Sequence, residues 1–252
     1  MVIFGPLVTP QDPNAVNLSI SLQGPAGAHF FGTDVTGRDI LSRVIAGARP
    51  SLLGPLAIAI AATVLGTLVG VTAAWAGGWT DAVLSRIMDV VFAFPGLLLA
   101  MMAVAVFGRG ITAPVIALAF SNIPWVGRVV RSAALRERAL PYIAAYVTEG
   151  FSALAICRRH LLPNVMPTVL AQGALAFTYG MVDLLALNFL GLGVQPPTPD
   201  WGVLVSEGQD SILRGAPEET LFASLFIVLA VVAVTMISQR IGNDKTAIST
   251  SA

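Results

Sequence analysis

Long apolar runs are the feature that most constrains how this chain can fold. Residues 51–75 contain no charged side chain, and at about 1.5 Å per residue the run is long enough to cross about 30 Å of hydrocarbon. Four further runs of similar character occupy residues 87–107, 111–130, 165–192 and 220–238. Because backbone groups in lipid need hydrogen-bond partners within the protein, each run is predicted to be a helix. The chain is therefore expected to be an all-α integral membrane protein with five full spans.

The composition argues against the alternative that these runs form the buried core of a soluble protein. Hydrophobic residues make up 56% of the 252 residues and charged residues only 11%, which lies outside the usual range of soluble domains. A lipid bilayer is therefore the expected surroundings of the chain.

The N-terminus is apolar but short. Residues 1–9 (MVIFGPLVT) are too few to span a bilayer, and they lack the basic start of a secretion signal. A short interfacial anchor is one interpretation, and the tail of a span whose beginning is missing is the other. We favour the second, so residues 1–28 are expected to hold the remnant of a first transmembrane helix and an external linker.

The arginines give an orientation. Six of them lie in and beside the polar segment between the third and fourth runs, where only two acidic residues oppose them. By the positive-inside rule this segment is cytoplasmic. Counting spans then places residues 194–219 outside, the tail with Arg240 and Lys245 inside, and residues 77–86 in a short cytoplasmic turn. The six arginines are Arg128, Arg131, Arg136, Arg138, Arg158 and Arg159.

The same count places the segment before the first full span outside. Arg38, Arg43 and Arg49 in this segment oppose that placement, because arginines favour the cytoplasmic side.

Residues needed for common catalytic sites are missing. The only lysine, Lys245, lies in NDKT, so the chain has no phosphate-binding loop for ATP. Two histidines, His29 and His160, and one cysteine, Cys157, are too few for an ordinary zinc site or an internal disulfide. We expect neither enzymatic activity nor a cofactor, and no nucleic-acid partner.

Two acidic residues fall within the apolar runs, where ionisable side chains usually have a function. Asp89 is near the cytoplasmic end of its span and is expected to reach the interface or pair with Arg86. Asp183 lies deeper, with Asn188 beyond it. Its carboxylate is expected to line a water-filled path or to bond another helix, and the sequence leaves both interpretations open.

Small residues and prolines predict the geometry of the helices. Gly66 and Gly70, four residues apart, allow a second helix to approach closely. Pro95 and Pro124 are each expected to kink their run, because proline lacks the backbone N–H of a regular helix.

The polar cytoplasmic segment resembles a known motif. ERALPYIAAYVTEGFSALAICRRHLLPN, residues 137–164, is similar to the EAA loop of permeases from binding-protein-dependent ABC importers. Three other segments resemble the dipeptide, oligopeptide and nickel branch of that family, of the second-subunit type. They are HFFGTDVTGRDILSRVIAGARPSL (29–52), MDVVFAFPGLLLA (88–100) and NFLGLGVQPPTPDWGVLVSEG (188–208). The resemblance covers residues 29–240 in order.

The resemblance implies a type I importer transmembrane domain over residues 29–240, with a coupling loop at 132–163 and a cytoplasmic tail at 241–252. Two short helices hinged at Gly150 would form the part of this loop that meets the ATPase. The coupling residues that it implies are Tyr142, Ala144, Ala145, Gly150, Phe151, Ser152, Arg159, His160 and Pro163. Asp183 and Asn188 are implied for the path, and Gln195, Pro196, Pro197 and Trp201 for contact with a binding protein.

One position departs from the family pattern. Ala144 stands where the EAA glutamate is usual, and Glu149 falls on a different helical face and does not replace it. Docking to the ATPase is therefore expected to be altered at this position.

The implied function is that of one permease subunit in an ATP-driven importer of short peptides in a bacterial inner membrane. The implied partners are a sister permease, two ATP-binding subunits, an extracytoplasmic substrate-binding protein and the lipid bilayer. Nickel, haem and glutathione carriers share the same motifs, so the substrate stays open. A membrane scaffold or channel subunit without ATP coupling is the alternative of a different class.

Overall fold

The computed structural model describes residues 9–249 of the chain and the side chains of residues 9–237. Residues 1–8 of the apolar stretch expected at residues 1–9, and the side chains of Arg240 and Lys245, lie outside the described part. Within it, the secondary structure is helical, apart from two isolated β-bridges in the segment before the first long helix.

Nine α-helices follow one another along the described residues. They are α1 Ile40–Ala76, α2 Gly78–Phe92, α3 Gly96–Phe107, α4 Thr112–Arg138, α5 Pro141–Thr148, α6 Ala153–Ile156, α7 Leu162–Phe189, α8 Trp201–Leu213 and α9 Glu218–Ser249. A 3₁₀ turn at Leu18–Ile20 precedes α1, and a π-helical turn at Cys157–Leu161 joins α6 to α7.

The expected number of spans is confirmed. Four helical stretches are long and apolar enough to cross a membrane, and α2 with α3 form a fifth span if this bent pair counts as one. The four stretches are Ile40–Ala76, Thr112–Arg138, Ala153–Phe189 and Glu218–Ile237. Large apolar side chains such as Ile60, Leu68 and Val228 are exposed on them, as lipid-facing positions require.

The second span differs from a single kinked helix. Its two helices meet at 75°, and the break lies at the residues just before Gly96. Pro95 occupies this break, in agreement with the predicted kink, because its ring removes one backbone donor. The expected turn at residues 77–86 is wrong, since most of it lies in α2. The break between α1 and α2 is Gly77, and both Gly77 and Gly78 have positive φ, 65° and 53°, which glycine adopts readily.

Helix α1 begins at Ile40, well before the apolar run at residue 51. Asp39 accounts for this early start, because its carboxylate accepts hydrogen bonds from the backbone N–H of Ser42 at 2.8 Å and from its hydroxyl at 2.6 Å. An aspartate in this position satisfies donors of the first helical turn that would otherwise have no partner. Arg43 and Arg49 therefore belong to α1.

The chain forms two compact units. The first consists of residues up to Leu56, Ala100–Ile116 and Gly180–Ala233. The second consists of Ala57–Leu99, Ala117–Tyr179 and the residues from Val234 onward.

Close packing of α1 against α4 dominates the second unit. A Cβ added at Gly66 would lie 2.8 Å from Cβ of Val126, and one added at Gly70 would lie 2.5 Å from the carbonyl oxygen of Gly127. Neither position has room for a side chain. The prediction that Gly66 and Gly70 allow a close helix contact is therefore confirmed.

Candidate functional site

A helical hairpin follows α4 in the second unit. This short-helix hairpin, residues 141–161, contains α5, α6 and the π turn. Pro141 begins α5, where its missing N–H costs no helical hydrogen bond. Gly150 then reverses the chain with φ 85°, and Ser152 caps α6 by accepting a hydrogen bond from the N–H of Ala155 at 3.3 Å. The two short helices around Gly150 are present as expected, whereas residues 132–138 of the expected loop are the end of α4.

Three side chains hold the base of the hairpin. The Asn164 amide donates hydrogen bonds to Oε1 of Glu137 at 2.8 Å and to the Tyr142 hydroxyl oxygen at 2.7 Å. The Tyr142 hydroxyl in turn donates to Glu137. Burial, together with the neighbouring Glu137 carboxylate, raises the pKa of Tyr142, which therefore stays protonated as a donor at neutral pH.

An aromatic cluster holds the interior of the hairpin. The ring of Tyr146 stacks on His160, with centroids 4.0 Å apart and an angle of 22° between the planes. The same tyrosine meets Phe151 edge-on at 5.4 Å and Tyr142 at 6.2 Å. His160 thus packs inside the hairpin, and its imidazole ties the π turn to α5.

Most of the coupling residues that the resemblance implies are exposed. Tyr142 and His160 are partly covered by the contacts just described. The others are exposed: Ala144, Ala145, Gly150, Phe151, Ser152, Arg159 and Pro163. The structure brings these residues together on one short segment, and their contact with an ATPase stays a prediction.

The loop between α7 and α8, in the first unit, is organised by one buried carboxylate. Asp200 accepts a hydrogen bond from the Ser51 hydroxyl at 2.6 Å and from the Asn188 amide at 2.9 Å. It also caps α8 by accepting from the N–H of Gly202 at 2.8 Å. Burial without a cation raises the pKa of Asp200, and these hydrogen bonds partly oppose that shift.

Two site residues have other surroundings than the sequence suggested. Asn188, expected on the path, is only 1% exposed, and its carbonyl accepts from the N–H of Val194 at 3.0 Å. Trp201, expected to contact a binding protein, is 2% exposed because its indole N–H donates to the Val44 carbonyl at 2.8 Å and its ring packs against Phe226. Both residues therefore stabilise the loop from within.

The remaining outer-loop residues keep accessible surface. Pro196 and Pro197 are exposed. Gln195 is partly buried and donates its amide to the carbonyl groups of Gly191 at 2.9 Å and Gly193 at 3.0 Å. The two prolines, together with the exposed Thr198, are thus accessible to a partner.

A buried set of charges joins the segment before α1 to α8 and α9. The guanidinium of Arg43, 0% exposed, contacts carboxylates of Asp34 at 2.6 Å, Glu207 at 2.6 Å and Glu219 at 3.1 Å. Arg38 contacts Asp34 at 2.5 Å and Glu207 at 3.2 Å. We call these five residues the acid–arginine cluster.

The cluster accounts for two of the three arginines that opposed the expected external placement. Arg38 and Arg43 opposed an external placement of their segment, but both are neutralised by carboxylates within the protein. Burial alone raises the pKa of Asp34, yet its hydrogen bonds from Arg38 and Thr36 and the two guanidinium charges outweigh that effect and lower it. The sequence signal that could have found the cluster is the acidic excess of residues 194–219.

The expected partner of Asp89 is wrong. Its carboxylate pairs with Arg128 of α4 at 2.7 Å, and not with Arg86 on its own helix. The Arg128 guanidinium also lies over the Phe92 ring, 4.5 Å from its centroid. One turn of α4 further on, Arg131 pairs with Asp81, so both aspartates link α2 to α4.

Asp183 is the second acidic residue that falls within an apolar run. It is half-buried on α7, and no hydrogen bond or ion pair joins its carboxylate to another described residue. The side chain of Asp183 can therefore interact with a molecule other than the described part of this chain.

Comparison with known proteins identifies the family. The model of the family described as "Binding-protein-dependent transport system inner membrane component" matches residues 62–247. The chain belongs to this family. It is therefore a multi-pass permease protein of the bacterial inner membrane.

Curated relatives cover most of the chain. It is 39% identical over 237 residues to the dipeptide transport system permease protein DppC of Alkalihalophilus pseudofirmus, which covers 94% of this chain and 78% of that protein. It is 37% identical to the glutathione transport system permease protein GsiD of Pectobacterium atrosepticum, over 85% of this chain and 71% of the relative. A probable D,D-dipeptide transport system permease protein of Escherichia coli is 36% identical, over 84% and 72%.

A solved structure supports the fold. The inward-facing MetNI methionine ABC transporter matches 80% of this chain and 95% of the compared chain, with a TM-score of 0.66 at 18% identity. The chain therefore has the type I ABC importer permease fold.

Proposed function

We propose that this chain is one of two permease subunits in an ATP-driven importer of short peptides. The observation that carries the proposal is the 39% identity, over 94% of the chain, with a protein named as a dipeptide permease. The names of the other two relatives, D,D-dipeptide and glutathione permeases, also describe small peptides. The names of all three relatives therefore share a short peptide as the transported substrate.

The proposed partners act at three places. Two ATP-binding subunits supply hydrolysis, and one of them docks on the exposed face of the short-helix hairpin. An extracytoplasmic binding protein delivers the peptide near Pro196 and Pro197, which are exposed beside the loop fixed by Asp200. A sister permease completes the path. Glutathione is the second substrate candidate, because a relative that carries this name is 37% identical.

Within this proposal Asp183 lines the path. A short peptide carries a protonated amino group, and a carboxylate on a membrane helix without an internal partner offers the opposite charge. Asp183→Asn should reduce uptake several-fold while leaving assembly unchanged. Asp210→Asn, an exposed acid on α8, is the matched control and should transport normally.

The deciding experiment is reconstitution. The chain is tagged and purified from its own membranes, co-purifying subunits are identified, and the complex with its binding protein is placed in vesicles that contain ATP. Uptake of labelled dialanine, glutathione and nickel is then compared. ATP-dependent uptake of dialanine supports the proposal, and preferred uptake of glutathione narrows it to that peptide. Transport of nickel alone, or purification without any ATPase, would refute it.

Orientation needs a separate measurement. In a background that carries Cys157→Ser, cysteines are introduced at Gln209 on α8 and at Ser132 on α4, both of which are exposed. An impermeant thiol reagent added outside intact cells should label the cysteine at 209 and spare the one at 132. The reverse pattern would invert the proposed topology.

A further inference from the structure

An apolar groove runs beside the short-helix hairpin in the second unit. It encloses about 430 Å³ between the end of α1 and the stretch from α6 to the start of α7. Thr72 and Trp75 line one wall, and Ala153, Cys157 and Leu162 line the other. No residue that lines the groove is assigned above to the peptide path or to ATPase coupling, whereas the hollow beside it includes the coupling residues Ser152 and Arg159.

A polar hollow of about 540 Å³ adjoins this groove. Leu154 and Arg158 line both spaces, and Arg159 and Ser152 line only the hollow. Both arginines are exposed, and neither has an ion-pair partner among the described residues. The apolar groove therefore adjoins a space that is lined by two arginines without an ion-pair partner among the described residues.

The level of the groove in the membrane follows from its aromatic residue. Trp75 lies one residue before the end of α1, and its ring faces the Arg138 guanidinium, 5.4 Å from the centroid. Tryptophan beside arginine is typical of the interface between hydrocarbon and headgroups. Leu154 remains 78% exposed at the mouth of the groove, which is unfavourable in water and favourable against an acyl chain.

We propose that this groove and the adjoining hollow bind one anionic phospholipid. An acyl chain lies along Thr72, Trp75 and Cys157, and the phosphate contacts Arg158 and Arg159. Basic pockets between membrane helices on the cytoplasmic side are suited to such headgroups, and guanidinium groups bind phosphate with paired hydrogen bonds. Because α6 forms one wall, the bound lipid braces the hairpin against the end of α1.

Native mass spectrometry of the purified complex, with phosphatidylglycerol or phosphatidylcholine added, tests whether the site prefers an anionic headgroup. The wild type should prefer phosphatidylglycerol. Arg158→Gln should lower phosphatidylglycerol binding about five-fold, the change that corresponds to ~1 kcal/mol for one arginine at an anionic surface. Arg158→Lys should retain most of the preference, and Arg136→Gln, an exposed arginine that lines neither space, should retain all of it.

The groove itself is tested with Thr72→Trp, whose added ring occupies the space at an exposed position. This variant should lose binding of both lipids without loss of assembly. Cys157, the only cysteine of the chain, gives an independent readout. Its modification by N-ethylmaleimide, measured on the peptide that contains it, should be slower in phosphatidylglycerol nanodiscs than in phosphatidylcholine nanodiscs.

Several results would overturn the proposal. Equal binding of the two lipids by the wild type would do so, as would an unchanged lipid preference in Arg158→Gln. Protection of Cys157 in both lipids, with cross-linking of this residue to another polypeptide, would show that a protein segment fills the groove. None of these results depends on peptide uptake, so they leave the proposed transport function to its own test.

Discussion

The acid–arginine cluster and the short-helix hairpin are both made of polar and charged residues, but they are held in opposite ways. In the cluster, the central side chain has no exposed surface and contacts three carboxylates. In the hairpin, a tyrosine, a glutamate and an asparagine fix the base, one aromatic cluster fills the interior, and the rest of the surface is open.

The difference separates a part that is held by buried charges from a part that, in the proposed function, an ATPase contacts. Removal of a buried charge leaves its partners desolvated and unpaired, so the cluster tolerates little change. An exposed helix pair with few internal contacts can adjust to a protein partner at a small cost in free energy.

The largest effect is expected from Arg43→Met. Methionine retains apolar volume but removes the ion-pair partner of Glu219 and leaves Asp34 and Glu207 with Arg38 alone, which should cost about 3–5 kcal/mol. Thermal unfolding of the purified protein in detergent measures the loss. Arg38→Met should be milder, because Asp34 and Glu207 keep their contacts with Arg43. Equal melting of Arg43→Met and the wild type would show that the cluster does not stabilise the fold.

The next effect is expected from Gly150→Val. No atom lies within 4 Å of an added Cβ, so the cost is backbone strain at φ 85°, about 1–2 kcal/mol for a residue with a side chain. Uptake and co-purification of the ATPase should fall several-fold, while membrane insertion is unchanged. Gly150→Asn is the matched control, since asparagine adopts this conformation more readily. Wild-type uptake by the valine variant would remove the coupling role from this turn.

A smaller effect concerns pH. Because the folded protein lowers the pKa of Asp34, its ionised carboxylate stabilises the fold above its unfolded pKa of about 3.9, and this contribution is lost as the pH falls through the folded value. The difference in melting temperature between the wild type and Asp34→Asn should be largest near neutral pH and shrink below about pH 4. A difference that does not vary with pH would contradict the ionic role of Asp34.

The smallest effect is expected from Ala144→Glu, which restores the usual family residue on the exposed face of α5. A basic partner on the ATPase would form an exposed ion pair worth about 0.2–1 kcal/mol, which weakens with salt. A partner surface adapted to alanine would bury the carboxylate unpaired and weaken binding instead. Co-purification of the ATPase, titrated against salt, separates the two outcomes, with Ala145→Glu as the neighbouring control. No change at any salt concentration would mean that residue 144 does not contact the ATPase.

The sequence predicted what depends on local patterns. Apolar runs predicted the spans and two glycines four residues apart predicted a close helix contact, whereas the turn at Gly150 was implied by the family resemblance. These features depend on spacing and on backbone preferences that act within a few residues.

Pairings between distant residues were not predictable in the same way. Arg86 is close to Asp89 in sequence, yet the packing of α2 on α4 brings Arg128 to it. Trp201 follows a polar loop, and only the fold reveals that its indole reaches the Val44 carbonyl. The π turn that brings His160 against Tyr146 likewise has no periodic signal of its own.

The long separations within the acid–arginine cluster bear on how the protein is made. Arg43 precedes its partners Glu207 and Glu219 by 164 and 176 residues. While α1 is being inserted, the ribosome has not yet produced either glutamate, and Asp34 is the only acidic member of the cluster that has been made. In the predicted topology the start of α1 enters the membrane against the usual charge preference, and we expect its orientation to become fixed only when α8 and α9 follow. Biogenesis of this permease is accordingly expected to be most sensitive to events late in translation, after its first helix has long been made.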